Sequence, residues 1–334
     1  MRTPPGSLLI LTEGSVRTGT GHLRRCATLA RHLQSQGWEI TFQVLGKADQ
    51  RLSQDAIQHI LNGLKWQALA QPVPLPANVT MVDMTAFRQK ETVAWCQDQG
   101  LVCLALDYQQ ADMLPDAVVT LKDLSGHMHE AFMRAGRASS YHEGVEYAVI
   151  RPSLMAQRAR CLLPGQNGVS NAVITIGGAD PGGLTLEAMN LLRPWRNRLD
   201  QVTVVLGPGV NDALIQQARL EAAGLDFKIE RSPPDFDGLL GSADLVLCNG
   251  GGTMLEALCI GRLVAVLPQN AAEIAFATGF CHEKACIWAH EVGKILEATK
   301  QERLEFASRA ASIVDGNGLE RLATLITQMA NPEN

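Results

Sequence analysis

The chain carries no sustained run of Lys and Arg, no long apolar run and no CxxC pair, and each absence removes a class of function. With 29 basic against 34 acidic residues and a net charge of −5, there is no stripe able to neutralise a row of phosphates, so no nucleic-acid partner is expected. No apolar stretch reaches the roughly 18 to 20 residues that a membrane span needs. The apolar part of "MRTPPGSLLILTEG" is too short for a signal peptide and suits a first strand. A protein without a membrane span, in the cytoplasm, is the expectation. The eight cysteines (Cys26, Cys96, Cys103, Cys161, Cys248, Cys259, Cys281 and Cys286) are scattered through apolar or helical contexts, as small buried hydrophobes in a reducing compartment would be. "CHEKAC" (Cys281, His282, Cys286) comes nearest to a metal cluster, but its spacing matches no zinc signature, so no metal is expected. GxSxG, HExxH and Walker A patterns are missing, and with them the chemistries they serve. There is also no short-period repeat and no low-complexity tract.

What is present is a globular composition, 46% apolar and 19% charged, in 334 residues, enough for two domains with a core each. Short apolar or β-branched runs alternate with helical patterns, the signature of parallel βαβ units. The strand candidates are 8–11, 39–45, 79–84, 101–107 and 117–121, then 171–178, 201–208, 227–232, 243–251 and 262–269. A helix over 21–36 places Leu23, Cys26, Leu29, Ala30 and Leu33 on one face. These patterns divide the chain into an α/β domain over 1–150, a crossing over 151–170 and a second α/β domain over 171–316. A closing helix over 317–334 packs back on the first domain. Two doubly wound, Rossmann-like domains put ligands at the carboxyl ends of their strands.

Three glycine-rich strand-to-helix loops mark those ends. "GTGHLRR" follows the first strand: Gly19 and Gly21 permit close backbone approach, and the free N–H groups of a helix start attract an anion. His22, in the first helical turn, could take a proton if a neighbour orients it. Glu13, Asp83 and Asp107 all end strands of the same half and are the candidate neighbours, unless each merely caps the segment that follows. The third glycine of a dinucleotide fingerprint is replaced by Arg24, so no such cofactor is expected, and none of any other kind. "LVLCNGGGTMLEALCIG" is the second loop. Gly250, Gly251, Gly252 and Thr253 could cradle a diphosphate, with Glu256 turned toward ribose hydroxyls. Thr253 and Glu256 also have capping-box spacing, which alone would account for both. "ITIGGADPGGLT", with Gly177 and Gly178, is the third, and reads either as backbone contact with ligand or as an Asp-Pro turn. Arg151, in "YAVIRPSL", either clamps a phosphate or forms an ion pair between domains.

Taken together, "GTGHLRRCATLARHL", "YAVIRPSL", "TIGGADPGGLTLEAM" and "ADLVLCNGGGTMLEALCIG" stand in the order and spacing of one family. From about residue 8 to 280 the chain resembles the UDP-2,4-diacetamido-2,4,6-trideoxy-β-L-altropyranose hydrolases of pseudaminic acid biosynthesis. The resemblance implies a GT-B fold related to the lipid-II-forming N-acetylglucosaminyltransferase, with domains facing across a cleft. It implies a UDP-linked amino sugar as substrate, its nucleotide held by the C-terminal domain near Glu256 and Asn270. It implies metal-independent C–O cleavage by water, with His22 in the water-activating position and Arg25 on the sugar and phosphate side. The chain departs from that family in having Leu11, Thr12 and Glu13 for Arg-x-Asp, Asp83, Met84 and Thr85 for Asp-His-Tyr, and Ala271 for the glutamine after Asn270. A glycosyltransferase on the same fold and a non-catalytic sugar-nucleotide binding module are the alternatives.

Overall fold

A computed structural model describes residues 5–15, 19–161 and 168–331 of the chain. The expectations for 162–167, and for the Cys161 side chain, lie outside the described residues. The chain divides into two compact units, Met1–Val149 with Asn317–Asn334, and Ile150–Gly316.

The first unit is a parallel sheet of β1 (Ser7–Glu13), β2 (Glu39–Leu45), β3 (Lys65–Leu69), β4 (Val79–Asp83), β5 (Cys103–Leu106), β6 (Ala117–Thr120) and β7 (Tyr141–Glu143). Its spatial order is β3-β2-β1-β4-β5-β6-β7, so the winding reverses between β1 and β4. β1 reads as a continuous apolar run because both its faces are covered. Alternate side chains go to opposite faces. Leu8 and Ile10 pack with Leu23, Cys26 and Leu29 of the helix Gly21–Ser35 and with Leu322 and Ile326 of the helix Gly318–Ala330. Leu9 and Leu11 pack with Val82, Val93 and Cys96 on the other face, where the helix Ala86–Asp98 lies. The register pairs Thr12 with Asp83, so these two face the helix Gly21–Ser35, while Glu13 faces the helix Ala86–Asp98. The parity of one strand thereby decides which carboxylate meets which helix.

The second unit repeats the plan. Its strands are β8 (Asn171–Thr175), β9 (Gln201–Leu206), β10 (Lys228–Arg231), β11 (Leu245–Cys248), β12 (Leu263–Val266) and β13 (Ile287–Trp288). The order is β10-β9-β8-β11-β12-β13, all parallel, with reversal between β8 and β11. The helix Pro152–Cys161 belongs to this unit, so the chain is already within the second unit where the sequence suggested a crossing. β3, β7 and β13 are strands the sequence reading did not list. β3 is an edge strand whose side chains are all at least partly exposed, so it needs no apolar run.

Candidate functional site

At the switch point of the first sheet, beyond the end of β1, Ser15 and Gly19 are bonded to one another. The Gly19 N–H donates to the Ser15 carbonyl at 2.9 Å, and Gly19 adopts φ +77°, open to glycine at little cost. The helix Gly21–Ser35 then starts with no side-chain cap, and His22 is its second residue. Among the described residues, apart from chain neighbours and the helix's own backbone, nothing lies within 4 Å of the place a Cβ would occupy on Gly21 or Gly19, so packing does not demand glycine at either position. His22 Nδ1 lies 2.7 Å from Asp83 Oδ1, with the imidazole 27% exposed and the carboxylate wholly buried.

Asp83 is the centre of a cluster. Arg25 donates Nε to Oδ2 at 2.6 Å and Nη2 to Oδ1 at 2.5 Å, and the Cys26 thiol donates to Oδ2 at 3.2 Å. Arg25 Nη1 also bonds Asp107, whose other oxygen accepts from the Leu121 N–H at 3.0 Å. Burial alone would raise the Asp83 carboxyl, but the charge of Arg25, and after it His22, hold it well below the ordinary range. An ionised Asp83 accepts only, so His22 donates its Nδ1–H to it, and Nε2 is the ring nitrogen outside that bond. Burial likewise pushes the Cys26 thiol up, followed by the charge of Asp83, so Cys26 is a neutral donor.

Of the carboxylates considered for His22, Asp83 is the one in hydrogen-bond contact with it. Glu13 is not: its oxygens accept from the Thr85 N–H at 2.7 Å and from Arg88 Nη1 at 3.3 Å, on the opposite face of the sheet. Asp107 acts at one remove, through Arg25, and holds φ +52°. Arg25, expected on the ligand side, is committed to these two carboxylates.

At the switch point of the second sheet, the loops after β8 and β11 meet: a Cβ on Gly177 would come within 3.4 Å of Asn249 Oδ1. Gly177 and Gly178 are packed by backbone, since a Cβ on Gly207 would stand 2.4 Å from the Gly177 carbonyl. Asp180 answers the helix start there itself, accepting from the Leu184 and Thr185 N–H groups at 2.8 and 2.9 Å. The third glycine loop therefore has a structural role in full view. In the second loop the helix is Gly252–Cys259 with Gly251 at its N-cap and no side-chain cap. Thr253 is thus its second residue and Glu256 its fifth, which removes the capping-box account of both. Glu256 instead takes a two-pronged ion pair from Arg151, Nε to Oε1 at 2.7 Å and Nη2 to Oε2 at 2.8 Å. Arg151 also bonds Asp237 and lies over the Phe236 ring at 5.4 Å. Its ion pairs fall within the second unit, so they are not the interdomain pair considered from sequence.

Glu273 escaped the sequence reading. Its carboxylate accepts from Asn249 Nδ2 at 2.8 Å, the Gly250 N–H at 3.1 Å and the Gln269 N–H at 2.8 Å, tying the glycine loop to the chain after β12. Asn270 caps the helix Ala271–His282 by accepting the Glu273 N–H at 3.0 Å. Asn-x-x-Glu at 270–273 is a visible cap-and-third-residue spacing, and the side chain of its last member reaches across to a neighbouring loop instead of back to the cap. Gly252, by contrast, has nothing within 4 Å of its absent Cβ, and the N–H groups of a helix's first turn have no acceptor within the helix. Among the described residues no group of three or more His, Cys, Asp or Glu is placed to hold a metal ion, and no helix is long and apolar enough to cross a membrane.

No known family profile matches the chain. It is 25% identical over 272 residues to the uncharacterised protein MJ1062 of Methanocaldococcus jannaschii, covering 79% of this chain and 56% of that one, so it spans little more than half of that relative. It is 22% identical over 351 residues to the spore coat polysaccharide biosynthesis protein SpsG of Bacillus subtilis, covering 97% and 98%. Among solved structures it is similar to Acinetobacter baumannii MurG, with TM-score 0.62, 13% identity and 96% and 99% coverage. It is similar to Anabaena Alr3699/HepE in complex with UDP and glucose, with TM-score 0.60, 11% identity and 96% and 99% coverage. It is also similar to a glycosyltransferase of Rickettsia africae, with TM-score 0.61, 12% identity and 98% and 99% coverage. The chain has the GT-B fold.

Proposed function

We propose that the protein is a UDP-sugar-dependent enzyme of polysaccharide biosynthesis that transfers the sugar to an acceptor hydroxyl, with His22 as general base. The observation that carries this reading is the His22–Asp83 pair at the first switch point, a partly exposed imidazole whose free nitrogen is Nε2. Similarity to a UDP- and glucose-bound structure supports a UDP-sugar substrate, similarity to a glycosyltransferase supports transfer, and similarity to SpsG supports a place in polysaccharide biosynthesis. As the acceptor oxygen attacks the anomeric carbon, Nε2 takes its proton, and Asp83 stabilises the imidazolium that forms. The bond from that carbon to the diphosphate oxygen breaks, and UDP leaves with the bonding pair. Within the second unit, the N–H groups of 251–253 at the start of the helix Gly252–Cys259 are the donors suited to a diphosphate. Glu256, fixed by Arg151, is the residue assigned to the ribose hydroxyls. General base action of this kind is worth about 10²- to 10⁴-fold, and each preorganised donor on the order of 3 kcal/mol.

A second reading, hydrolysis, replaces the acceptor hydroxyl by water. It is favoured by one observation: the residues of the GxGHxxRC segment that carry the sequence resemblance, His22, Arg25 and Cys26, all converge on one carboxylate. The test is UDP release from a panel of UDP-linked sugars in ¹⁸O-enriched water, with and without polysaccharide acceptors. Release that requires acceptor supports transfer; acceptor-independent release with label in the free sugar supports hydrolysis. Label in UDP, or no release from any donor, overturns the reaction as written. His22→Ala is expected to lower turnover by about 10²- to 10⁴-fold while UDP affinity by calorimetry changes by less than about threefold.

A further inference from the structure

We propose that Cys281 and Cys286 form a peroxide-reactive dithiol, a modification site in the second unit at which a peroxide converts the two thiols into an intramolecular disulfide. The proposal is independent of the reaction above. Their sulfurs lie 3.3 Å apart and share one hydrogen, with no covalent bond between them. The segment between them is tied down: the Lys284 N–H donates to the Cys281 carbonyl at 3.1 Å and the Ala285 N–H to the Phe280 carbonyl at 2.9 Å. Lys284 itself turns the chain with φ +56°. A disulfide would bring the sulfurs from 3.3 Å to roughly 2.05 Å.

The two thiols are unequal in the way such chemistry needs. Cys281, at the end of the helix Ala271–His282, is partly exposed, whereas Cys286, directly before β13, is buried beside it. The shared hydrogen bond lowers the Cys281 thiol below its ordinary range and raises that of Cys286. Being the one open to solvent, Cys281 is the sulfur that attacks, and Cys286 the one that resolves. The Cys281 thiolate attacks one peroxide oxygen, the O–O bond breaks, and the departing oxygen leaves as water after protonation. The Cys286 sulfur then attacks the Cys281 sulfenic acid, the S–O bond breaks, and a second water leaves with the Cys286 proton. Two thiols supply the two electrons that reduce the peroxide.

The first unit supplies an internal control. Cys96 and Cys103 also interact through a side-chain hydrogen bond, but both lie wholly inside the core. The experiment treats the full chain with stoichiometric hydrogen peroxide, blocks remaining thiols with N-ethylmaleimide in denaturant, and digests with trypsin. Cleavage after Lys284 separates the two cysteines, so the disulfide joins peptide 263–284 to peptide 285–294. That joined pair is expected to accumulate and to disappear with dithiothreitol, while peptide 91–122 keeps both its thiols. In Cys286→Ser, Cys281 is expected to stop as a sulfenic acid that dimedone labels, at least about ten-fold faster than Cys286 is labelled in Cys281→Ser. Maleimide on both cysteines after peroxide, a link that forms only in denaturant, or equal oxidation of Cys96 and Cys103 overturns the proposal. Should either variant fail to fold, the wild-type peptide map decides alone.

Discussion

A buried carboxylate must be either neutralised or matched, and Asp83 is matched by Arg25 and His22. Replacing it by asparagine leaves Arg25 facing a neutral amide, though Asp107 still pairs with it, so the cost belongs at the lower end of that for a broken buried pair. Asp83→Asn is expected to lose about 3 kcal/mol in urea unfolding at pH 7. The sign with pH follows from linkage. Because the folded carboxyl titrates below its ordinary 3.8, the contribution is complete above about pH 5 and is lost as pH falls from there toward the depressed value. The gap between wild type and Asp83→Asn therefore narrows below about pH 4, and parallel urea titrations at pH 7 and pH 3.5 measure it. Much of this was legible in sequence, since His22 and Arg25 stand in the helix start that follows the glycine loop and Asp83 ends a strand of the same half. The choice between Glu13 and Asp83 was not, because it turns on which residue of β1 pairs with Asp83. Leu8, Ile10 and Thr12 share one face and Leu9, Leu11 and Glu13 the other, so Glu13 had to leave His22 once Asp83 was known to pair with Thr12.

At the scale of elements, the two switch points were visible as strand–glycine–helix transitions, because close backbone approach and exposed N–H groups leave a compositional mark. Partners across the sheet left none, since strand order is a long-range property. That is why Arg151–Glu256 and the reach of Glu273 to Gly250 emerge only in three dimensions. The edge strands β3 and β7 were illegible for a related reason: a half-exposed edge has no apolar run to read. The glycines of the second loop separate into two kinds. A Cβ on Gly250 would sit 3.0 Å from Glu273 Cβ and 3.1 Å from its carbonyl oxygen, whereas Gly252 faces open space. Gly250→Ala is expected to cost about 1–3 kcal/mol by overpacking, measured by denaturant unfolding. Gly252→Ala is expected to leave stability unchanged or slightly raised, as alanine favours the helix. Its UDP affinity is expected to fall at least about ten-fold by calorimetry, because the methyl group fills the space proposed for the diphosphate.

At the scale of the whole molecule, the first unit is built from two distant stretches of chain. The helix Gly318–Ala330 contributes Leu319, Leu322 and Ile326 to the core around β1, and a Cβ on its first residue would stand 2.2 Å from the Ala148 carbonyl. Each such side chain is worth about 1.5–3 kcal/mol on burial. Removing the segment after Gly316 therefore takes away a sum comparable with the whole stability of a domain, about 5–15 kcal/mol. The truncated chain is expected to keep a folded second unit, 150–316, and lose the first, seen by hydrogen exchange as protection confined to β8–β13.

The same helix sets an order of events during synthesis. Residues 150–316 are contiguous and emerge from the ribosome as a complete unit, whereas the unit that begins the chain waits for its last helix. The usual sequence, amino-terminal domain first, is inverted. The half that carries His22 therefore completes the core around β1 only when Leu319, Leu322 and Ile326 have been made.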